Sequence, residues 1–88
     1  MKKWWIYLVK CQDGTLYCGI TTDVPRRVKQ HNEGKGSKYI VKSRRPVVLL
    51  ASIEVDSRST ASSVEYHVKK RLNRDQKLAY FGVTNVDI

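Results

Sequence analysis

Apolar and polar positions along this chain change period several times. Trp4 to Lys10 and Thr15 to Thr21 are rich in aromatic and β-branched residues, with Asp13-Gly14 between them, the composition of two strands joined by a hairpin turn. The period then lengthens. Thr22 or Asp23 can cap a helix whose first turn tolerates Pro25, along which Val24 and Val28 repeat at four before Gly34 ends it. Residues 34–38, Gly-Lys-Gly-Ser-Lys, read as a mobile basic loop, and Arg44-Arg45-Pro46 punctuates the chain. Val47 to Val55 follows as a third strand, apolar enough at its start to be expected in the centre of a sheet.

A second helix is expected from a cap at Ser59 or Thr60, with Ala61, Val64, Val68 and Leu72 as its apolar stripe. Asp75 can cap a last short helix that runs through Phe81 and closes at Gly82. The element order is thus ββαβαα. It implies an α+β fold in which helices flank a small three-stranded sheet, antiparallel or mixed. Residues 1–82 form one expected domain and 83–88 a loose C-terminal tail. At 88 residues there is one core and no room for a separate specificity domain.

Charge narrows the class of partner. Seventeen Lys and Arg against eight Asp and Glu give a net charge of +9. Arg26 to Arg45 alone holds eight cations against one acid, Glu33. Such a stretch suits a polyanion, although a solvated basic face is the plainer reading. No apolar run approaches the roughly 20 residues that span a bilayer, and the N-terminus lacks a signal-peptide cleavage site. The expected location is the cytoplasm, with no membrane association and no obligate protein partner evident. Cys11 and Cys18 are too few for a disulfide framework and have no zinc-ligand spacing, so both are expected reduced and structural.

Candidate chemistry lies in five residues: Tyr7, Tyr17, Arg27, His31 and Glu65. A phenol can relay a proton from attacking water, a guanidinium can clamp a phosphate, and a carboxylate can anchor a divalent cation. Arg27 and His31, four apart, share one helix face. Taken singly, each has a plainer role: strand aromatics, a solvent-facing arginine, a solvated histidine, or Glu65 paired with Lys69 at i+4. A phenol is a poor base at neutral pH unless cations lower its pKa, which Arg27 and a metal ion are expected to do. Lys38, Lys42, Arg44 and Arg45 fit a phosphate-tracking surface, with Tyr39 as a stacking platform. His67 reads as surface, and Trp4 and Trp5 as core.

Trp5-Ile6-Tyr7, then Tyr17-Cys18-Gly19, then Thr21, Asp23, Val24, Arg27, His31, Ala61 and Glu65 resemble the GIY-YIG nuclease domain. The likeness runs from about residue 3 to residue 81, and Gly36, Tyr39 and Arg44-Arg45-Pro46 resemble the middle segment of its small stand-alone bacterial subfamily. It implies a central three-stranded antiparallel sheet flanked by helices. It also implies a metal-dependent endonuclease of DNA, in repair or processing, using Mg²⁺ (or Mn²⁺) held by Glu65, with roles for Tyr7, Tyr17 and Arg27. One tyrosine would orient or deprotonate water while the other holds the phosphate. Trp5 stands at the first motif's glycine and Cys18 at the second motif's isoleucine. The family's downstream asparagine or lysine is matched only loosely by Asn73. The alternative function is a non-catalytic DNA- or RNA-binding module that keeps the fold.

Hairpin register tests the site. A two-residue Asp13-Gly14 loop would pair Tyr7 with Ile20 and send the two phenols to opposite faces. A shared site requires an odd-membered loop, such as Gln12-Asp13-Gly14 with Tyr7 opposite Gly19, or a bulge.

Overall fold

The computed structural model describes residues 3–36, 40 and 42–83. Strands β1 (Trp4–Lys10), β2 (Leu16–Thr21) and β3 (Val48–Val55) form one antiparallel sheet in the order β2-β1-β3. Helices α1 (Val24–Asn32), α2 (Arg58–Arg71) and α3 (Arg74–Tyr80) complete the predicted element order, with a single 3-10 turn at Lys42–Arg44 before β3.

The central strand is β1, not β3. Ile6 to Val9 are all buried, whereas β3 lies at an edge with Val48 61% and Leu49 40% exposed. The apolar start of β3 sits where its pairing with β1 shifts between Leu8 and Val9, a bulge that spends residues on the edge rather than in the core. Two hydrophobic clusters explain why β1 is buried on both faces. Ile6 and Leu8 pack with Cys18, Ala61, Val68 and Phe81, while Tyr7 and Val9 pack with Cys11, Val24, Ile40 and Val47. Alternate residues of one strand point to opposite faces, so α2 and α3 cover one side and α1 the other.

Helix caps move relative to the sequence expectation at two of three starts. Asp23 caps α1, its Oδ1 accepting from the Arg26 amide at 3.1 Å. Ser57 caps α2 in place of Ser59 or Thr60, because its Oγ accepts from the Thr60 amide at 3.1 Å and so the first turn forms one residue pair earlier. Asn73 caps α3 in place of Asp75. Its side chain accepts from the Gln76 amide while the Asn73 amide donates to Gln76 Oε1, a reciprocal box that leaves Asp75 in the first turn where the helix dipole favours an acid. Asn73 therefore has a structural use. The apolar stripe on α2 forms as expected, with Ala61 and Val68 fully buried and Val64 and Leu72 packed beside them.

Candidate active site

The hairpin brings the two motif tyrosines together. Tyr7 pairs with Gly19 and Val9 with Tyr17, closing on a Gln12-Asp13-Gly14 loop in which the Gly14 amide bonds to the Cys11 carbonyl at 2.9 Å and Gly14 has φ +87°. A left-handed residue at that position is what a three-residue loop requires. The Tyr7 and Tyr17 rings consequently share a sheet face, 6.3 Å between centroids. Gly19 is needed beside them, since a Cβ there would collide with the Tyr7 phenol.

Arg27 and His31 descend on this face from α1. The His31 ring lies 5.8 Å from Tyr7 and 5.3 Å from Tyr17, and its Nε2 is hydrogen-bonded to the Tyr7 hydroxyl at 2.7 Å. His31 is fully buried and its Nδ1 has no partner among the described residues; Gly36 presses so close that a Cβ there would strike the imidazole. The Arg27 guanidinium donates to the Gly36 carbonyl at 3.0 Å and to Gln30 Oε1 at 3.2 Å. Arg27 thus ties α1 to the segment that shields His31.

Electrostatics follow from that burial. Burial lowers the His31 pKa from 6.5 to about 4, with the Arg27 cation adding to the effect, so the ring is neutral at pH 7. Tyr7 is pushed up to about 12 because burial outweighs the opposing influence of Arg27. This reverses the expectation that neighbouring cations would lower a site phenol. Desolvation of a phenolate with 1% of the residue exposed exceeds what one guanidinium, shared with Gly36, returns. Tyr17 differs in being only half-buried.

Glu65 reaches the region from the other side of the sheet. It lies on α2, half-buried; burial first, and the Glu65 field after it, push the Cys18 thiol up to about 12. Glu65 Oε2 is 3.5 Å from Lys69 Nζ, and that ammonium lies 5.0 Å from the centre of the Tyr17 ring. Edge strand β2 is thus straddled, Arg27 and His31 on one face and Glu65 and Lys69 reaching round from the other. Among the described residues no three His, Cys, Asp or Glu side chains cluster as a metal site. A lone carboxylate is compatible with Mg²⁺, which keeps most of its waters and completes its shell with phosphate oxygens, but not with a closed zinc site.

The remaining sequence candidates are dispersed. Lys42 is exposed; Arg44 Nε pairs with Asp13 Oδ2 at 3.0 Å; Arg45 packs its guanidinium against Gly34 and has a buried Nε with no partner among the described residues. Lys38 and Tyr39 lie outside the described residues. His67 is exposed, and both cysteines are buried and free. Trp4 packs beside the α2 cluster, whereas Trp5 walls a cavity of about 410 Å³ with Val24, Pro25 and Leu49, so only part of it is core. Sequence reasoning did not find the Gly36 carbonyl as the Arg27 acceptor or the Lys69 contact with Tyr17. The i+4 spacing of Glu65 and Lys69 was the one available signal for the latter.

The GIY-YIG catalytic domain matches residues 3–79, and the chain belongs to that family. It is 48% identical over 79 residues to the UPF0213 protein YsiG of Lactococcus lactis, covering 90% of this chain and 75% of the relative. A UPF0213 protein of Nitratidesulfovibrio vulgaris is 45% identical over 84 residues, covering 96% and 74%. Among solved structures, the UPF0213 protein of Bacillus halodurans aligns with TM-score 0.58 and 38% identity over 97% of this chain and 88% of that one. A protein of E. faecalis aligns with TM-score 0.61 and 33% identity over 97% and 92%. The three-stranded antiparallel sheet with helices on both faces is the fold of these neighbours. Family membership implies a nuclease lineage and a nucleic-acid substrate.

Proposed function

We propose that this protein is a metal-dependent endonuclease acting on DNA, in repair or processing in the cytoplasm, with Tyr7, Tyr17, Arg27, His31 and Glu65 as its site. The observation that carries the reading is the common sheet face of Tyr7 and Tyr17, onto which α1 delivers Arg27 and His31, while Lys69 of α2, paired with Glu65, reaches the Tyr17 ring. Tyr17, the more exposed phenol, meets the attacking water and orients it. Arg27 transfers its donors from the Gly36 carbonyl and Gln30 to the phosphate, a charge-assisted exchange that favours the ligand. Tyr7 and His31 form a buried hydrogen-bonded pair behind them that fixes both. Pairing of Arg27 with an anion also removes part of what depresses His31, which then accepts a proton more readily. Mg²⁺ or Mn²⁺ held by Glu65 would neutralise charge on the non-bridging oxygens.

A second reading, a DNA- or RNA-binding module without turnover, is supported by the internal partners that Arg27 and Glu65 already have. A plasmid-cleavage assay with Mg²⁺ or Mn²⁺ decides between them. The wild type is expected to cleave, and Arg27→Ala, purified identically, to lose about 10² to 10³ in rate by analogy with loss of one charged transition-state donor. Binding without cleavage, or equal cleavage by both proteins, rejects the enzymatic reading.

A further inference from the structure

Glu65 is linked to the Tyr17 edge through Lys69, a cation that already stands on its carboxylate. Lys69 Nζ is 3.5 Å from Glu65 Oε2 and 5.0 Å from the Tyr17 ring centre. Both contacts come from a side chain one helical turn beyond Glu65 on the same face of α2, so no rearrangement of backbone is needed to make or break them. The Lys69 side chain is 39% exposed and that of Glu65 24% exposed, which leaves the ammonium room to swing into solvent.

We propose that Lys69 is a resident counter-ion that competes with the divalent metal for Glu65, so that it sets the metal affinity of the free protein. The proposal rests on Glu65 being the metal ligand. A hydrated Mg²⁺ or Mn²⁺ on the Glu65 carboxylate and an ammonium 3.5 Å from Oε2 repel each other, and one must leave. Lys69 has somewhere to go. Its side chain is partly exposed and can swing into solvent, giving up the Tyr17 ring contact that it holds at the same time as the ion pair. The free protein then holds Mn²⁺ weakly because the net charge of the Glu65–Lys69 pair is zero. An arriving phosphodiester offers the displaced ammonium an anion, which makes metal and nucleic acid bind each other's state of the protein better.

Mn²⁺ titration of the nucleic-acid-free protein, followed by the paramagnetic resonance signal of free Mn²⁺, tests this without any cleavage. Lys69→Met keeps the aliphatic stem and removes the charge; it is expected to tighten Mn²⁺ about threefold or more, the scale on which an exposed ion pair acts. Lys70→Met removes the same charge from an exposed neighbouring position and is expected to change affinity less, which separates local competition from the field of a +9 protein. Glu65→Gln is expected to abolish the tightening when combined with Lys69→Met. Unchanged or weaker Mn²⁺ binding in Lys69→Met, or an equal gain in Lys70→Met, overturns the proposal while leaving Glu65 as ligand. Mn²⁺ binding that is indifferent to Glu65→Gln overturns the ligand assignment and the proposal together. Circular dichroism of each variant confirms that α2 is intact before the comparison is made.

Discussion

The Tyr7 hydroxyl and His31 Nε2 lie 2.7 Å apart in a place where Tyr7 is 1% and His31 0% exposed. A neutral phenol and a neutral imidazole share one proton there, and neither can ionise cheaply.

This pair makes stability depend on pH in a stated direction. His31 has a folded pKa of about 4 against 6.5 when unfolded, so between those values the unfolded chain binds the proton and the folded chain does not. Above pH 6.5 both are neutral and full stability is present. As pH falls from about 6.5 to about 4 stability is lost progressively, on the order of 3 kcal/mol at most, and below that the loss is complete. Urea unfolding at pH 7.5, 5.5 and 4 is expected to show the decline, and His31→Gln to flatten it. An equal pH slope in wild type and variant counts against a buried neutral His31.

The phenols should separate in two measurements. Tyr7→Phe strands the buried Nε2 of an imidazole whose Nδ1 has no partner among the described residues, at about 1 to 3 kcal/mol of stability. Tyr17→Phe changes a half-buried edge position and is expected to cost less in stability, yet to remove the phenol that meets water. Thermal melts beside single-turnover cleavage distinguish the two; if Tyr17→Phe retains full turnover, its placement as the water-facing group is wrong.

Gly19→Ala adds one methyl where the Tyr7 phenol already stands. The ring is walled by His31 and the β1 core, so it cannot yield freely, and a loss of about 1 to 3 kcal/mol is expected together with displacement of Tyr7. A heteronuclear spectrum in which the Tyr7 and His31 resonances are unmoved would refute the close packing.

Most of this arrangement was readable because it is local. Hairpin register follows from loop length, and once Tyr7 stands opposite Gly19 the tyrosines must share a face. Arg27 and His31 share a helix face by spacing alone. What could not be read depends on competition between equivalent neighbours. Ser57, Ser59 and Thr60 are all competent caps, and the one used is Ser57, whose Oγ accepts from the Thr60 amide. The order β2-β1-β3 depends on which strand is covered twice, which the apolar run at Val47 to Leu50 misrepresents because a bulge and an edge absorb it. The sign of the Tyr7 shift was likewise hidden, since sequence names the nearby cation but not the depth of burial that overrides it.

The basic segment gives the last test, and the structure divides Arg44 and Arg45 from Lys42. Neutralising one phosphate contributes about 0.9 to the slope of log affinity against log salt on duplex DNA. Arg44 is held by Asp13 at 3.0 Å and Arg45 lies against Gly34 with its Nε buried, so each would have to give up an internal contact to reach a phosphate. Lys42, exposed on the turn before them, has no side-chain partner among the described residues to give up. Lys42→Ala is therefore expected to reduce the salt slope by about one contact, and Arg44→Ala with Arg45→Ala by fewer than two. Loss of Arg45 should also cost stability, because its guanidinium fills the space over Gly34. Fluorescence anisotropy of a labelled duplex from 50 to 200 mM salt measures the slopes, the range over which phosphate contacts separate clearly. A slope untouched by Lys42→Ala but cut by two contacts in the double arginine variant would mean that DNA pulls both arginines off their internal partners.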